Sequence, residues 1–436
     1  MKKISVNVLL NVEVNTRVIR DLQSYGRVQE VLSGINALTM QMAEKDLESV
    51  RNLPFVAAAN PDAERYGAPI DTVPVEDFLV GLPTWNMDVI NVMDTASGPL
   101  SRSVQETGAG VYVAVLDTGL KDIWTQFFPE ERIADEYARS FTGGPFPTSA
   151  TPSQPNKWEH DQSSHGTHVT STILGYNLRG TPVAGVAPLA TVIPVKTLNQ
   201  NGSGWSSTVA RGIVYVAELK MGPLADYPVV INMSLGGSIL DAVEQAALDY
   251  ALDAGVIIVA AAGNAGEAGM GYPGGYAPVI SVAATGWTGE WFPEGNFSWW
   301  LNLDDGEPNN PDLYYITDFS SRELDGQELD VAAPGSWVVG PYKLNSSNEP
   351  TFYFLGGTSM ASPHVAGVVA LMLQKNPNLT QAQIESILKS TAIAIPAGCR
   401  EILQPDGSVV EICWGDDANG SGLVTADAAL AATPAP

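Results

Sequence analysis

Near the start of the chain Ile4, Val6, Val8, Leu10, Val12 and Val14 alternate with Ser5, Asn7, Asn11 and Glu13, and a period of two predicts a strand with one buried face. The period then lengthens. Val18, Ile19, Leu22 and Tyr25 have helical spacing, and Gly26 stands where a helix C-terminal glycine belongs. Arg27 to Leu32 and Ala37 to Met42 read as strands around Ser33-Gly34, Leu47, Val50 and Leu53 mark a second helix before Pro54, and Phe55 to Ala59 form a last strand. The order βαββαβ predicts a small ferredoxin-like α+β unit, an architecture that names no function by itself. From Asn60 to Pro83, Pro61, Pro69, Pro74 and Pro83 stand among Asp62, Glu64, Asp71, Glu76 and Asp77, which predicts an exposed linker and a domain boundary.

Beyond it, β-branched runs (Val111 to Leu116, Thr191 to Val195, Val229 to Met233, Val256 to Ala260, Val279 to Ala283) alternate with helical stretches such as Val209 to Leu219 and Asp241 to Asp253. This is the α/β pattern of a mostly parallel, buried sheet. The reading divides the chain into a unit at 1–66, a linker at 67–84 and a large α/β domain at 85–436, with Ala428 to Pro436 as a frayed tail. Hydrophobic residues at 45% and charged residues at 16% of the 436 exclude a disordered chain, a collagen-like repeat and a coiled coil. The net charge of −26 argues against a nucleic-acid partner. No apolar run approaches the ~18–20 residues of a membrane span. Met1-Lys2-Lys3 resembles the start of a signal peptide, but strand alternation follows, so the signal of an exported protein is expected to lie outside this sequence.

Three motifs carry chemistry. Val113 to Leu116 is a buried strand ending in Asp117-Thr118-Gly119, which places a carboxylate at the C-terminal edge of the sheet. His165-Gly166-Thr167-His168-Val169 opens an apolar helix, and Gly357-Thr358-Ser359-Met360-Ala361-Ser362-Pro363-His364 opens another. A serine hydroxyl becomes a nucleophile when an imidazole takes its proton, and the imidazole needs a carboxylate to fix its tautomer. The chain order Asp, His, Ser disfavours an esterase of the α/β-hydrolase type, whose serine elbow precedes its partners.

With Asn232-Met233-Ser234-Leu235-Gly236-Gly237 and Ala260-Ala261-Ala262-Gly263-Asn264, these motifs closely resemble the subtilisin-like serine proteases over roughly residues 85–436. The resemblance implies a three-layer subtilisin-like domain and an endopeptidase working through an acyl-enzyme on protein or peptide substrates, with no metal in catalysis. Asp117 would orient the imidazole, His165 act as base and then acid, Ser359 as nucleophile, and Asn264 as oxyanion donor. Ser234, Leu235 and Gly236 would pair with substrate backbone, with Gly263 and Gly271 lining an uncharged pocket suited to large apolar residues. His168 and His364 fall outside the triad, and His160 reads as solvated. The N-terminal unit, through Leu47-x-x-Val50-x-x-Leu53-Pro54-x-Val56, resembles the family's inhibitory propeptide, whose tail would enter the cleft and be cut after Tyr66. A pseudo-protease that keeps this unit bound and serves as a binding protein is the rival reading.

The family's prominent calcium loop is not recognisable at Tyr176 to Val183, where Arg179 intrudes. Asp304-Asp305-Gly306-Glu307 and Asp416 to Ser421 are the other oxygen-rich candidates for a structural calcium. Trp287 to Asp318 is a long aromatic insertion (Trp287, Trp291, Trp299, Trp300, Tyr314, Tyr315) expected to pack onto its own domain, the alternative being exposed aromatics that extend the substrate cleft or bind a partner. Cys399 and Cys413 lie symmetrically about Pro405-Asp406-Gly407, a strong hairpin turn. Facing positions would allow a disulfide and point to secretion, buried thiols or a slipped register being the alternatives.

Overall fold

The computed structural model describes residues 2–74, 84–93, 102–142, 157–291, 310–344 and 349–436. The N-terminal unit contains strands Lys3–Leu10, Gly26–Leu32, Ala37–Ala43 and Val56–Pro61 with helices Thr16–Gln23 and Leu47–Arg51. Its antiparallel sheet places the first strand between the third and fourth. Asn15 caps the first helix by accepting from the Arg17 and Val18 amides. Val6, Val8, Leu22, Leu38, Met40, Met42 and Val50 close a core of its own. The sequence alternation overran the strand: Val12 is exposed, beyond its end at Leu10.

In the large domain an eight-stranded sheet runs Tyr314–Ile316, Ile280–Trp287, Ile257–Ala261, Val229–Met233, Tyr112–Asp117, Thr191–Lys196 and Arg139–Ser140, with Val331–Pro334 also paired to Ile280–Trp287. Its neighbours are parallel except for the antiparallel contact of Tyr314–Ile316. The central strands bury both faces, so they read as continuous apolar runs. Val113 and Val115 face helices His165–Leu174 and Thr358–Lys375. Ala114 and Leu116, one residue out of phase, face helices Ser206–Met221 and Ala242–Asp253. This is the three-layer α/β arrangement expected.

The N-terminal unit sits on the second helical layer, with Leu32, Ile35 and Ala37 joining that layer's core. A buried polar knot accompanies them. Asn7 Nδ2 donates to Asp241 Oδ2 (2.7 Å) and Asp62 Oδ1 (3.1 Å), Ser206 Oγ donates to Asp241 Oδ2 (2.7 Å), and Ser207 Oγ donates to Asp62 Oδ2 (2.6 Å).

Residues 60–74 differ from the exposed linker expected. Asp62 and Arg65 are buried, Glu64–Tyr66 pairs with Ser203–Trp205, and Asp71–Pro74 pairs with Pro350–Gly356. Backbone pairing at both places outweighs the proline- and acid-rich composition, and Pro74 sits at the end of its strand, where a missing N–H is tolerated.

The cysteine hairpin forms as read. Gly398–Leu403 pairs with Val409–Trp414, Cys399 faces Cys413, and the two are disulfide-bonded. Trp291, Tyr314 and Tyr315 are buried and Trp287 packs on the core, whereas Trp299, Trp300 and Asp304 to Glu307 lie outside the described residues.

Candidate active site

Three segments leave the C-terminal ends of neighbouring parallel strands: Asp117 from Tyr112–Asp117, Ser234 just after Val229–Met233, and Gly263-Asn264 just after Ile257–Ala261. Sheet order thus brings together residues far apart in sequence. The helix beginning at His165 closes on this edge because residue 166 is glycine: a Cβ there would lie 2.4 Å from Gly119 O and 3.2 Å from Asp117 Cβ. Gly166 N–H donates to Thr118 Oγ1 (2.8 Å). His165, fully buried, then donates from Nδ1 to Asp117, with Oδ1 at 2.9 Å and Oδ2 at 3.0 Å. That bond leaves Nε2 as the free base, and it has no hydrogen-bond partner among the described residues.

Burial by itself pushes the His165 imidazole down, but the Asp117 carboxylate, through charge and hydrogen bond, and Asp161 more than offset it, so the ring titrates above its usual value. Asp161 is the residue sequence reasoning missed. Its neighbour His160 is exposed, as expected. Asp161 is buried, accepts from the Ser164 amide at 2.7 Å and from Thr167 Oγ1 at 2.9 Å, and so holds the first turn that presents His165. Burial pushes its carboxyl up, against the Lys196 ammonium. No local signal marks it, because it lies three residues before the N-cap Ser164.

Ser359 is the second residue of helix Thr358–Lys375, where backbone N–H groups have no intrahelical acceptor and the dipole favours negative charge. Its Oγ donates to Ser234 O at 3.1 Å, and Ser234 Oγ donates back to Ser359 O at 2.7 Å. Asn264 Oδ1 accepts from Thr358 N and Thr358 Oγ1, both at 2.9 Å, which leaves its amide nitrogen for the cleft. A nucleophile, a tautomer-fixed base and two N–H donors in this arrangement can perform acyl transfer.

The other histidines are structural, as expected. His168 donates from Nε2 to Val338 O (3.0 Å), and burial lowers it to about 3. His364 donates from Nδ1 to Met360 O (2.8 Å) and accepts from Asn86 Nδ2, and burial lowers it to about 4.

Gly236, Gly263 and Gly271 converge, with Gly263 N–H donating to Thr358 Oγ1 (3.1 Å): a Cβ on Gly263 would stand 2.9 Å from Gly271 N, and one on Gly236 would stand 3.8 Å from Gly271 Cα. Leu235 offers only backbone, its side chain lying in the core. The register at Tyr66 differs from the one expected. Tyr66 N–H donates to Gly236 O (3.0 Å) and Tyr66 O accepts from Gly236 N–H (2.9 Å). A carbonyl spent on that pairing is not the one under attack, and the Tyr66 ring, 53% exposed, fills no pocket.

A mostly parallel sheet with an Asp–His pair and a helix-start serine at one edge has the parts of a serine hydrolase, and the comparison with known proteins gives the class. Residues 108–425 match the Subtilase family, and the chain belongs to it. It is 32% identical over 358 residues to the thermostable alkaline protease of Halalkalibacterium halodurans, covering 82% of this chain and 78% of that one. It is also 32% identical over 371 residues to subtilisin E of Bacillus subtilis, covering 84% and 78%. Among solved structures, fervidolysin from Fervidobacterium pennivorans, a keratinolytic enzyme related to subtilisin, superposes with a TM-score of 0.68 at 24% identity, covering all of this chain and 62% of that one. The protein is a subtilisin-like serine endopeptidase acting on protein or peptide substrates, and catalysis in the family takes no cofactor.

Among the described residues, Glu328, Asp330 and Glu385 converge, but the Lys389 ammonium already contacts all three. No helix among the described residues is long and apolar enough to cross a membrane.

Proposed function

We propose that Ser359 is the nucleophile, His165 the general base and then acid, Asp117 the group that fixes its tautomer, and the Asn264 amide with the Ser359 N–H the oxyanion donors. The observation that carries this reading is the fully buried His165–Asp117 contact at 2.9 Å, with Ser359 at a helix N-terminus bonded to Ser234 O on the same edge of the sheet. In the reaction His165 Nε2 takes the Ser359 proton as Oγ bonds the substrate carbonyl, then gives it to the leaving amine, and water resolves the acyl-enzyme by the same route. Substrate enters as a strand beside Ser234, Leu235 and Gly236, and Gly263 and Gly271 shape an uncharged pocket for a large apolar residue. The first 66 residues act as a propeptide-type partner, made with the enzyme and seated on its helices. The protein works outside the cell, in keeping with the Cys399–Cys413 bond. Any structural calcium is separate from the chemistry, and its site is not assigned.

Turnover of fluorogenic peptides bearing Phe, Leu, Asp or Lys before the scissile bond tests the assignment. Phe and Leu peptides should be cut about ten-fold faster than the charged ones, and all turnover should vanish in Ser359→Ala. Turnover that survives in Ser359→Ala would remove the nucleophile assignment.

A further inference from the structure

The insertion that opens at Trp287 carries a buried carboxyl toward the serine. Glu290, 4% exposed, accepts from Trp287 N–H at Oε1 (3.0 Å), and its Oε2 lies 3.0 Å from both Tyr315 Oη and Ser336 Oγ, which are themselves 3.0 Å apart. Three oxygens in a triangle need three hydrogens to bond every edge. A protonated carboxyl, a phenol and a hydroxyl supply three, whereas a carboxylate leaves one edge as bare oxygen against oxygen. Among the described residues no cation stands beside Glu290 to hold a charge: its side-chain partners are Tyr315 and Ser336, and the exposed Asp318, which bears on Tyr315, is also acidic. Burial pushes the Glu290 carboxyl up to about 8.

Ser336 in turn belongs to the turn that holds the start of the serine helix. Gly335 and Ser336 both donate their N–H groups to Thr285 O (2.9 and 3.1 Å), so Thr285 and Glu290 grip this turn from two sides. Gly335 O accepts from Gly357 N–H at 2.8 Å, and Gly357 O accepts from Met360 N–H at 2.9 Å, closing the first helical turn around Ser359. The joint is tight. A Cβ on Gly335 would lie 2.9 Å from Gly357 O, and one on Gly357 would lie 3.6 Å from Asn264 Nδ2. Trp337 follows at a φ of 46°, a left-handed conformation that a bulky residue keeps only when its surroundings impose it, and Trp291 of the insertion stands edge-on against it at 5.2 Å.

We propose that Glu290 is a positioning residue for acyl transfer: in its protonated form it holds Ser336, and through the Gly335–Gly357 hydrogen bond it fixes the turn that presents Ser359 beside the Asn264 amide. The proposal rests on the triad and oxyanion assignments above. It gives the insertion a task in turnover, and it gives turnover an alkaline limit. As pH rises through the raised value the carboxyl ionises, one edge of the triangle loses its hydrogen, and the buried charge favours any rearrangement that hydrates it. Ser336 then shifts and the hold on Gly357 slackens. A displaced serine or oxyanion donor weakens contacts made only in the transition state, so kcat falls more than KM changes.

The test measures kcat and KM for a fluorogenic Phe peptide from about pH 6 to 10 in the parent, Glu290→Gln and Glu290→Ala. The parent's kcat should fall through one ionisation near 8. Glu290→Gln, whose amide donates into the triangle and cannot ionise, should lose that limb while keeping kcat at neutral pH within about three-fold, and Glu290→Ala should lower kcat at least about ten-fold at every pH with KM within about two-fold. Infrared difference spectra in a Ser359→Ala background should show a protonated-carboxyl band that disappears over the same pH range and is missing when Glu290→Gln is added. If Glu290→Ala does not fold, the limb in Glu290→Gln and the infrared band decide alone. The positioning role is overturned if the parent has no alkaline limb, if Glu290→Gln keeps it, if no protonated-carboxyl band is present at neutral pH, or if Glu290→Ala lowers the melting temperature with kcat unchanged; Ser359-dependent turnover in those cases leaves the protease assignment standing. If no form shows Ser359-dependent turnover or labels with a fluorophosphonate, the triad assignment fails and the positioning role with it.

Discussion

Arg65→Ala isolates the contact that anchors the segment entering the cleft. The Arg65 guanidinium is fully buried, donates from Nε to Glu244 Oε1 at 3.0 Å and from Nη2 to Glu244 Oε2, and reaches Glu64 O (2.9 Å) and Ile239 O (3.0 Å) with its other N–H groups. Glu244 is equally buried, with Asp241 and Asp62 near enough to oppose its charge. Burial pushes the Glu244 carboxyl up and Arg65 holds it down, so the substitution leaves three acidic groups buried without their cation. Removing one partner of such a pair costs about 3–5 kcal/mol, roughly two to four decades in the equilibrium between the seated and unseated N-terminal unit.

The assay is amide hydrogen exchange in a Ser359→Ala background, which prevents self-digestion. Protection of the Tyr66 and Gly236 amides should fall by that factor while amides inside helix Thr358–Lys375 keep theirs. Adding Glu244→Gln should recover part of the loss, because a neutral amide is cheaper to bury than an unpaired charge. The pH sign follows from the raised carboxyl. Seating is strongest below the exposed Glu value of about 4.3 and weakens as pH rises through the higher seated value, so the deficit of Arg65→Ala grows from mild acid toward neutral. Unchanged protection in the single variant, or a double variant no better than the single, would refute the reasoning.

Asn264→Ala should keep fold and substrate binding while lowering kcat by on the order of 10²–10³, or 2.7–4 kcal/mol of barrier, a range established on another member of this family; steady-state kinetics on a peptide decides it, and unchanged kcat removes the oxyanion role. Because Asp117 holds His165 above its usual value, kcat/KM should fall as pH drops through a pKa above 6.5, and Asp161→Asn should move that limb toward acid; a profile flat down to pH 5 would contradict the base assignment. Cys399→Ser should lower stability by roughly 3 kcal/mol, as expected for opening a loop of about 15 residues, and the non-reduced parent should show no alkylatable thiol by mass spectrometry.

The chemistry was legible because its residues come in contiguous boxes. Asp117, His165, Ser359 and Asn264 each sit in a motif whose neighbours are fixed by local geometry, as Gly166 is by the approach to Asp117. The hairpin at Pro405-Asp406-Gly407 was legible for the same reason, its turn and facing cysteines being local. The N-terminal strands and helices followed from period alone. The path of residues 60–74 was not legible, because its order comes from main-chain pairing with Ser203–Trp205, Gly236 and Pro350–Gly356, which leaves no side-chain periodicity. That is also why the pairing of Tyr66 with Gly236 left no mark in the sequence. The knot of Asn7, Asp62, Arg65, Asp241 and Glu244 was hidden for another reason: each polar residue looks solvent-facing alone and becomes buried only when partners from distant segments satisfy it.

The central claim is that Ser359, activated by His165, forms an acyl-enzyme. The direct measurement is peptide mapping after treatment of the protein with a fluorophosphonate. The account predicts one adduct, on Ser359, absent from His165→Ala. An adduct on another residue such as Ser362, or labelling at full rate without His165, would contradict it.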